Sequence, residues 1–274
     1  MIAIVILLFL NDKSLNFVLN MYGICKLSMV PVRAEASSKS EMTTQLLFGD
    51  IYQVLSQNDD WIFIETLSDK YTGWINHLQH FELKNISSIN EKAEVSVSFP
   101  FQTAFKKSTQ QRQLIPFGAS MYSSSTNASN TFRMDEDEFE TESNNQNKLD
   151  LVSTAKLFLT SPYLWGGKSA MGIDCSGFTQ VVFKSHNIQL QRDAWQQAQQ
   201  GEVVDFLSLS LPGDLAFFDN DEGKITHVGI LLNNAEIIHA SGQVKIEKID
   251  NYGIILMDNN QYSHKLRLIR RIIK

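Results

Sequence analysis

Apolar residues run without a break from Ile2 to Leu10 and then give way to Asn11-Asp12-Lys13. Nine such residues fall short of the about 20 that a bilayer-spanning helix needs. No basic segment precedes the run and no small-residue cleavage site follows it. We read residues 1–20 as an extension of an over-called start, with Met21 the true start; the alternative is a degenerate signal peptide. From residue 21 the pattern changes to short β-type runs. Ile24 to Val32 is apolar and strand-like, Ala34 to Ser40 is a polar loop, and Gly49-Asp50 turns into Ile51 to Leu55. Gln57 to Asp60 then turns into Trp61 to Ile64, and Gly73-Trp74-Ile75 begins the next strand. Five short strands in about 60 residues predict a small antiparallel barrel over 21–83.

The pattern weakens over 84–147. Val95 to Ser98 alternates as a strand does, and Arg112 to Met121 has room for two more. Ser123 to Thr131 is almost wholly Ser, Thr and Asn, and Asp135 to Glu142 carries six carboxylates in eight residues. That acidic run reads as a solvated loop or linker. The segment as a whole is expected to be a degenerate second copy of the first barrel with a polar hairpin. Helical spacing appears at 148–274, where residues 151, 152, 155, 158 and 159 form an apolar stripe ending near Pro162. Ser176 to Asn187 predicts a second helix. After Pro212-Gly213-Asp214, strands are expected at 215–218, 225–232, 236–241, 244–249 and 265–273. Helices followed by an antiparallel sheet make an α+β layer architecture.

Composition narrows the function. The chain has 274 residues, 43% hydrophobic and 20% charged, with net charge −6. That balance is globular, and it argues against nucleic acid as a partner, since phosphate binding needs a basic surface. Two cysteines, Cys25 and Cys175, are too few for a disulfide framework. No cofactor is called for, and a monomer is expected.

Cys175 stands where a glycine-rich loop meets an apolar helix, so its sulfur is expected near the positive end of the helix dipole, with a lowered pKa. His227 and His239 lie on consecutive strands joined by a short Asn-rich loop. Centring that hairpin on Asn233 makes them direct cross-strand neighbours, about 5 Å apart at Cβ. The arrangement suits acyl transfer to sulfur: Cys175 attacks an amide carbonyl, His227 takes and returns the proton, and His239 orients His227. Backbone N–H groups at the helix start, with the Tyr163 hydroxyl, would stabilise the oxyanion. Two duller readings stay open: Cys175 as core packing, and Cys175, His227 and His239 as zinc ligands, although no closely spaced ligand pair supports a metal. Gly167-Lys168-Ser169 mimics the end of a phosphate loop, but the first glycine of that motif would fall at Pro162. His77, His80, His186 and His264 are expected at the surface.

The segments "PYLWGGKSAMGIDCSGF", "LPGDLAFF", "ITHVGI" and "IIHASG" together resemble the NlpC family of papain-like bacterial cell-wall peptidases, over about 120 residues. The resemblance implies Cys175 as nucleophile, His227 as base and His239 as the third polar residue. It also implies Tyr163 near the oxyanion and Asp174 and Ser176 in contact with substrate. The spacing of residues 21–83 resembles the bacterial SH3 domains attached to such enzymes. Within it, "EMTTQLLFGD" at 41–50 and "YTGW" at 71–74 are similar to the members that recycle murein peptides. There the SH3 domain closes the cleft, and a carboxylate and a tyrosine, here Glu41 and Tyr71, bind the free amine of an N-terminal L-alanine. Glu35 is a nearby competitor for the first role. The implied reaction cuts the γ-D-glutamyl bond of L-Ala-γ-D-Glu-diaminopimelate, which implies the cytoplasm, or the periplasm if the N-terminal run is an export signal. Alternatives are a secreted hydrolase of intact peptidoglycan stems and a non-catalytic murein-peptide-binding module. Trp195 departs from many relatives, which carry a small or hydroxyl residue there. It is not assigned to the site, and Asp193 is only a weak candidate.

Overall fold

The computed structural model describes residues 21–58, 60–84, 93–123, 130–142, 149–256 and 261–273. The N-terminal apolar run and most of the Ser/Thr/Asn tract therefore lie outside the described residues. The first unit has six strands where five were expected: Tyr22–Ile24 (β1), Met29–Arg33 (β2), Met42–Leu47 (β3), Ile51–Gln57 (β4), Trp61–Thr66 (β5) and Thr72–Asn76 (β6). They pair antiparallel in the order β1-β4-β5-β6-β2-β3. The run from Ile24 to Val32 is two strands, not one. It breaks after Ile24 because the Cys25 N–H turns to the Asp50 carbonyl and its thiol to the Leu27 carbonyl. Val30, Val32, Leu46, Val54, Ile62, Ile64 and Ile75 point inward, and strict alternation along β5 shows one face packed and one wetted.

A second six-stranded antiparallel sheet follows, made of Glu94–Val95 (β7), Phe101–Lys106 (β8), Arg112–Pro116 (β9), Ser120–Ser123 (β10), Thr131–Met134 (β11) and Asp137–Thr141 (β12). The acidic run is not a solvated linker. Asp135 is fully buried in the β11–β12 turn, where its carboxylate accepts from Lys26 Nζ and the Lys84 N–H, both at 3.1 Å. Asp137 pairs with Lys106 at 2.8 Å, and Phe139 of the same run points into the core. Lysines supplied by the chain, some from the first unit, offset the charge that composition alone reads as solvation. The two sheets share one apolar cluster: Ile24, Phe48 and Ile51 pack with Ala104, Ile115, Phe132, Met134 and Phe139, and Phe48 meets Phe132 and Phe139 edge-on.

The third unit begins with Leu151–Leu157 (α1), capped by the Asp150 side chain, and the small hairpin Lys168–Ser169 (β13) and Gly172–Ile173 (β14). Cys175–Ser185 (α2) and the short Ala194–Gln197 (α3) follow. The strands are Glu202–Val204 (β15), Leu215–Asp219 (β16), Ile225–Leu231 (β17), Glu236–Ser241 (β18), Gln243–Ile249 (β19), Gly253–Ile255 (β20) and Tyr262–Arg271 (β21). The sheet runs β15-β21-β16-β17-β18-β19-β20, and β20 also pairs with β21. The antiparallel sheet expected from the sequence is closed into a barrel, by a strand not foreseen and a last strand that starts three residues earlier than predicted. Phe178, Val181 and Val182 of α2 pack against Phe217, Val228, Ile230 and Ile238, while Phe218, Leu231, Ile237, Ile249 and Ile254 form a second cluster. Each such side chain contributes about 1.5–3 kcal/mol on burial.

The first β unit is fastened to α2 and β13. Lys184 Nζ pairs with Asp50 at 2.9 Å, Gln180 Nε2 donates to Asp69 at 2.7 Å, and the Lys168 N–H donates to Gln45. Gly166 has φ +76°, and a Cβ there would stand 2.2 Å from the Met42 carbonyl oxygen, so only glycine lets the two main chains approach. Among the described residues no helix is long and apolar enough to cross a membrane.

Candidate functional site

Cys175 is the first residue of α2, one position earlier than predicted, because Asp174 is the N-cap: its Oδ1 accepts from the Gly177 N–H at 2.7 Å. Asp174 does more than cap. Its Oδ2 accepts from the Gly166 N–H at 2.8 Å, and Arg192 grips both oxygens, through Nη1 at 3.1 Å and Nη2 at 2.6 Å. The same Arg192 donates to Ser176 Oγ at 2.8 Å and, through Nε, to Thr44 Oγ1 of the first unit at 2.8 Å. Asp174 and Ser176 do line the cavity at the thiol, but the carboxylate is already spent on the protein's own donors.

The environment of Cys175 reverses the expected shift. Burial and the neighbouring Asp174 carboxylate push its thiol up to about 12, against weaker opposing help from Arg192 and the Val228 and Ser176 backbone. The helix start does not overcome that desolvation. The Tyr163 phenol is raised as well, by burial and by the nearby Cys175.

β17 passes beside Cys175 and carries His227. The register differs by two residues from that expected: Gly229, not His227, lies opposite His239, so the hairpin centres on Asn234. An even slip keeps both imidazoles on one face. Gly229 has no Cβ to meet the His239 Cβ, which would stand 2.9 Å away. The two rings still meet, His227 Nε2 to His239 Nδ1 at 2.9 Å, with both residues buried. His239 Nε2 in turn reaches Glu247 Oε2 of β19 at 2.8 Å.

This chain fixes the tautomers. The Glu247 carboxylate is held below its usual range by His239 and Lys245 despite burial, and an ionised carboxylate only accepts. His239 Nε2 therefore donates, leaving Nδ1 to accept from His227 Nε2–H. What remains on His227 is an unprotonated Nδ1. Burial, with His264 and His239 adding to it, holds the His227 pKa well below 6.5, and burial lowers that of His239 too. The two imidazoles spend a nitrogen each on one another, which disfavours the zinc reading.

A cavity of about 400 Å³ opens on the thiol. One wall is the first β unit, with Glu41, Thr43 and Tyr71; the other holds Trp165, Cys175, Ser176, Asp193, Trp195 and Thr226. The structure thus brings Glu41, Tyr71, Asp174, Cys175 and Ser176 to one cleft. His227 and His239 stand behind it, and half-buried Tyr163 beside it, bridged to Ile173. Glu35 is exposed and lines no part of the cavity, while Glu41 Oε1 accepts from Trp165 Nε1 across the interface. Tyr71 Oη donates to Asp193 Oδ1 at 3.2 Å, and burial raises the Asp193 carboxyl.

Two segments of the chain match known families. Residues 160–265 match the NlpC/P60 family and residues 32–79 the bacterial dipeptidyl-peptidase SH3 domain. The chain is 28% identical to a γ-D-glutamyl-L-lysine dipeptidyl-peptidase of Bacillus cereus, over 80% of this chain and 74% of that one. Its identity to the protein of the same name in Bacillus subtilis is 27%, over 83% and 80%. The chain is an NlpC/P60 cysteine peptidase. A solved NlpC/P60 family protein from Bacillus cereus shares the fold, with a TM-score of 0.76 at 20% identity over 92% of this chain and all of that one. One from Photobacterium damselae subsp. piscicida gives 0.63 at 15%, over 86% and 70%.

Several residues of this peptidase's cleft were not found from sequence. Glu247 sits among alternating Lys and Ile residues that read as an amphipathic strand with its charges outward. Arg192 and Asp174 are 18 residues apart with no periodicity linking them. Asp193, only a weak candidate from sequence, and Trp195, left unassigned there, both enter the cavity, the latter half-exposed. His80 and His186 are half-buried, and His80 faces the Tyr52 hydroxyl at 3.0 Å.

The resting pair is a neutral thiol beside a neutral imidazole, and this has a measurable consequence. Alkylation of Cys175 by iodoacetamide, followed on its own peptide, should accelerate about tenfold per pH unit from 7 to 9, as thiolate accumulates below the pKa. A rate flat over that range would reveal a preformed thiolate. Cys25 is buried at 1% exposure, with its thiol raised further still, and should stay unlabelled.

Proposed function

We propose that this peptidase hydrolyses the γ-D-glutamyl–diamino acid bond of short murein peptides with a free N-terminal L-alanine, L-Ala-γ-D-Glu-diaminopimelate being the expected substrate. The observation that carries the reading is the wall formed by the first β unit. Glu41 and Asp193 put two carboxylates in the Cys175 cavity, with the Tyr71 hydroxyl bonded to one of them. An α-ammonium suits such a pocket, since charge-assisted hydrogen bonds are the strong ones. The wall also closes the cleft to a peptide whose amine is already joined to a glycan.

In this reading Cys175 Sγ attacks the γ-carbonyl of D-glutamate while its proton passes to His227 Nδ1. The tetrahedral oxyanion is received at the start of α2, by the Cys175 N–H, with Tyr163 beside it. The C–N bond breaks, His227 returns the proton to the leaving amine, and the dipeptide is left as a thioester on Cys175. Water then attacks, again deprotonated by His227, and releases L-Ala-D-Glu with the free thiol. His239 and Glu247 hold His227 in the tautomer that accepts at Nδ1. Recycling of free murein peptides makes the cytoplasm the expected site of action.

Mass spectrometry of L-Ala-γ-D-Glu-meso-diaminopimelate, beside its N-acetylated form, tests the reading. Release of L-Ala-D-Glu from the free peptide is expected, with cleavage of the acetylated peptide slower by about a hundredfold. Equal rates would remove the amine site, and cleavage of intact stem peptides at a similar rate would favour a hydrolase of the assembled wall.

A further inference from the structure

His264 was expected at the surface, yet the early start of β21 carries it to the back of the histidine chain, opposite Ile254 of β20. Its ring lies on His227, centroids 4.1 Å apart and planes 26° from parallel. It meets His239 edge-on at 5.7 Å and Phe218 at 5.9 Å. His264 Nδ1 is 2.9 Å from Ser263 Oγ, and the ring meets the other two imidazoles through its face and edge.

A single hydrogen bond does not fix an imidazole. With Cβ held by the strand and Nε2 held by His239, the His227 ring keeps one freedom, a swivel about the line joining those two points. That swivel swings Nδ1 toward or away from the thiol. The observed stack is the contact that opposes it, because turning the His227 plane drives its edge into the face of His264. Phe218, tilted at 5.7 Å, bounds the ring from β16.

We propose that His264 is a positioning residue for the peptidase reaction, its ring holding the plane of His227 so that Nδ1 stays directed at Cys175. This rests on the reading of His227 as the base. The charged and titratable groups around His264 are His227 of β17, His239 of β18, and Lys245 and Glu247 of β19. Burial and His239 hold the His264 pKa at about 4, so at neutral pH the stack is between two uncharged rings. His264 also helps keep the His227 pKa low, by covering it and by its charge at acid pH.

His264→Ala and His264→Phe, measured beside His227→Ala, test the proposal. His264→Ala should lower kcat about tenfold with KM within twofold, since misplacing a reacting group costs rate rather than affinity. The base works unprotonated, so activity is lost as pH falls through its pKa. Exposing His227 raises that pKa, and the acid limb of kcat should move upward toward 6.5. His264→Phe keeps a ring in place and should retain kcat within about threefold. An unchanged kcat and acid limb in His264→Ala would overturn the proposal, and so would a His264→Phe enzyme as slow as His264→Ala. Should the alanine variant fail to fold, His264→Asn replaces it: a side chain with no ring should be slow where Phe is fast, and equal rates overturn the idea. Retained activity in His227→Ala would instead dismiss the base assignment on which it rests.

Discussion

Cys175→Ala should reduce hydrolysis of the free peptide by at least about 10⁴-fold, the scale seen when a covalent nucleophile is removed, and leave the fold intact. The two halves of the expectation come from different parts of the structure. Only sulfur at this position both lines the cavity and lies against β17, one residue from His227. Water replacing it would attack from the bulk, without the covalent intermediate that divides the reaction into two easier steps. The fold depends little on that sulfur: Asp174 caps α2, Phe178, Val181 and Val182 bury the helix, and alanine is the best helix former. Loss of one buried heavy atom should cost no more than about 1.5 kcal/mol. Peptide turnover read by mass spectrometry, with circular dichroism and a melting curve, decides it. A variant that keeps even a hundredth of the wild-type rate would sink the nucleophile assignment.

What was legible in the sequence follows from the physics of each element. Cys175, His227 and His239 stand in short segments whose local pattern fixes their structure: a glycine-rich loop before an apolar helix, and two β runs joined by four residues. A slip of two in the hairpin register moved their partners but not their face, because side chains alternate with period two. Pattern failed where a partner is remote. Glu247 looks solvent-directed until His239 and Lys245 are found against it at 2.8 and 3.1 Å. His264 lay outside the predicted last strand, since Tyr262-Ser263-His264 has no apolar alternation to extend it. The acidic run over 135–142 misled for the same reason: the lysines that neutralise it, Lys26 and Lys106, are distant in sequence. The thiol shift was misjudged because a helix dipole can be read from a sequence and burial cannot.

Arg192→Met should be the most destabilising single change in the cleft, by about 3–5 kcal/mol, because it leaves the Asp174 carboxylate buried without its cation. Arg192 is 2% exposed and makes four hydrogen bonds, two to Asp174, one to Ser176 and one to Thr44. Methionine refills most of the volume, so the loss is electrostatic rather than a cavity. Asp174 cannot simply be released to water, since its oxygens also hold the Gly166 and Gly177 N–H groups that shape the loop and the start of α2. Adding Asp174→Asn to Arg192→Met removes the orphaned charge yet keeps an oxygen to cap the helix. The double variant should therefore be more stable than Arg192→Met alone, and a coupling of about 1–3 kcal/mol is expected. Because Thr44 is buried on β3 next to Thr43, which lines the wall opposite Cys175, both variants should also bind the free peptide less well, with KM raised. Denaturant midpoints for the four members of the cycle give the coupling directly. Additive effects would mean that Arg192 acts through packing alone, and that the capping carboxylate tolerates burial without it.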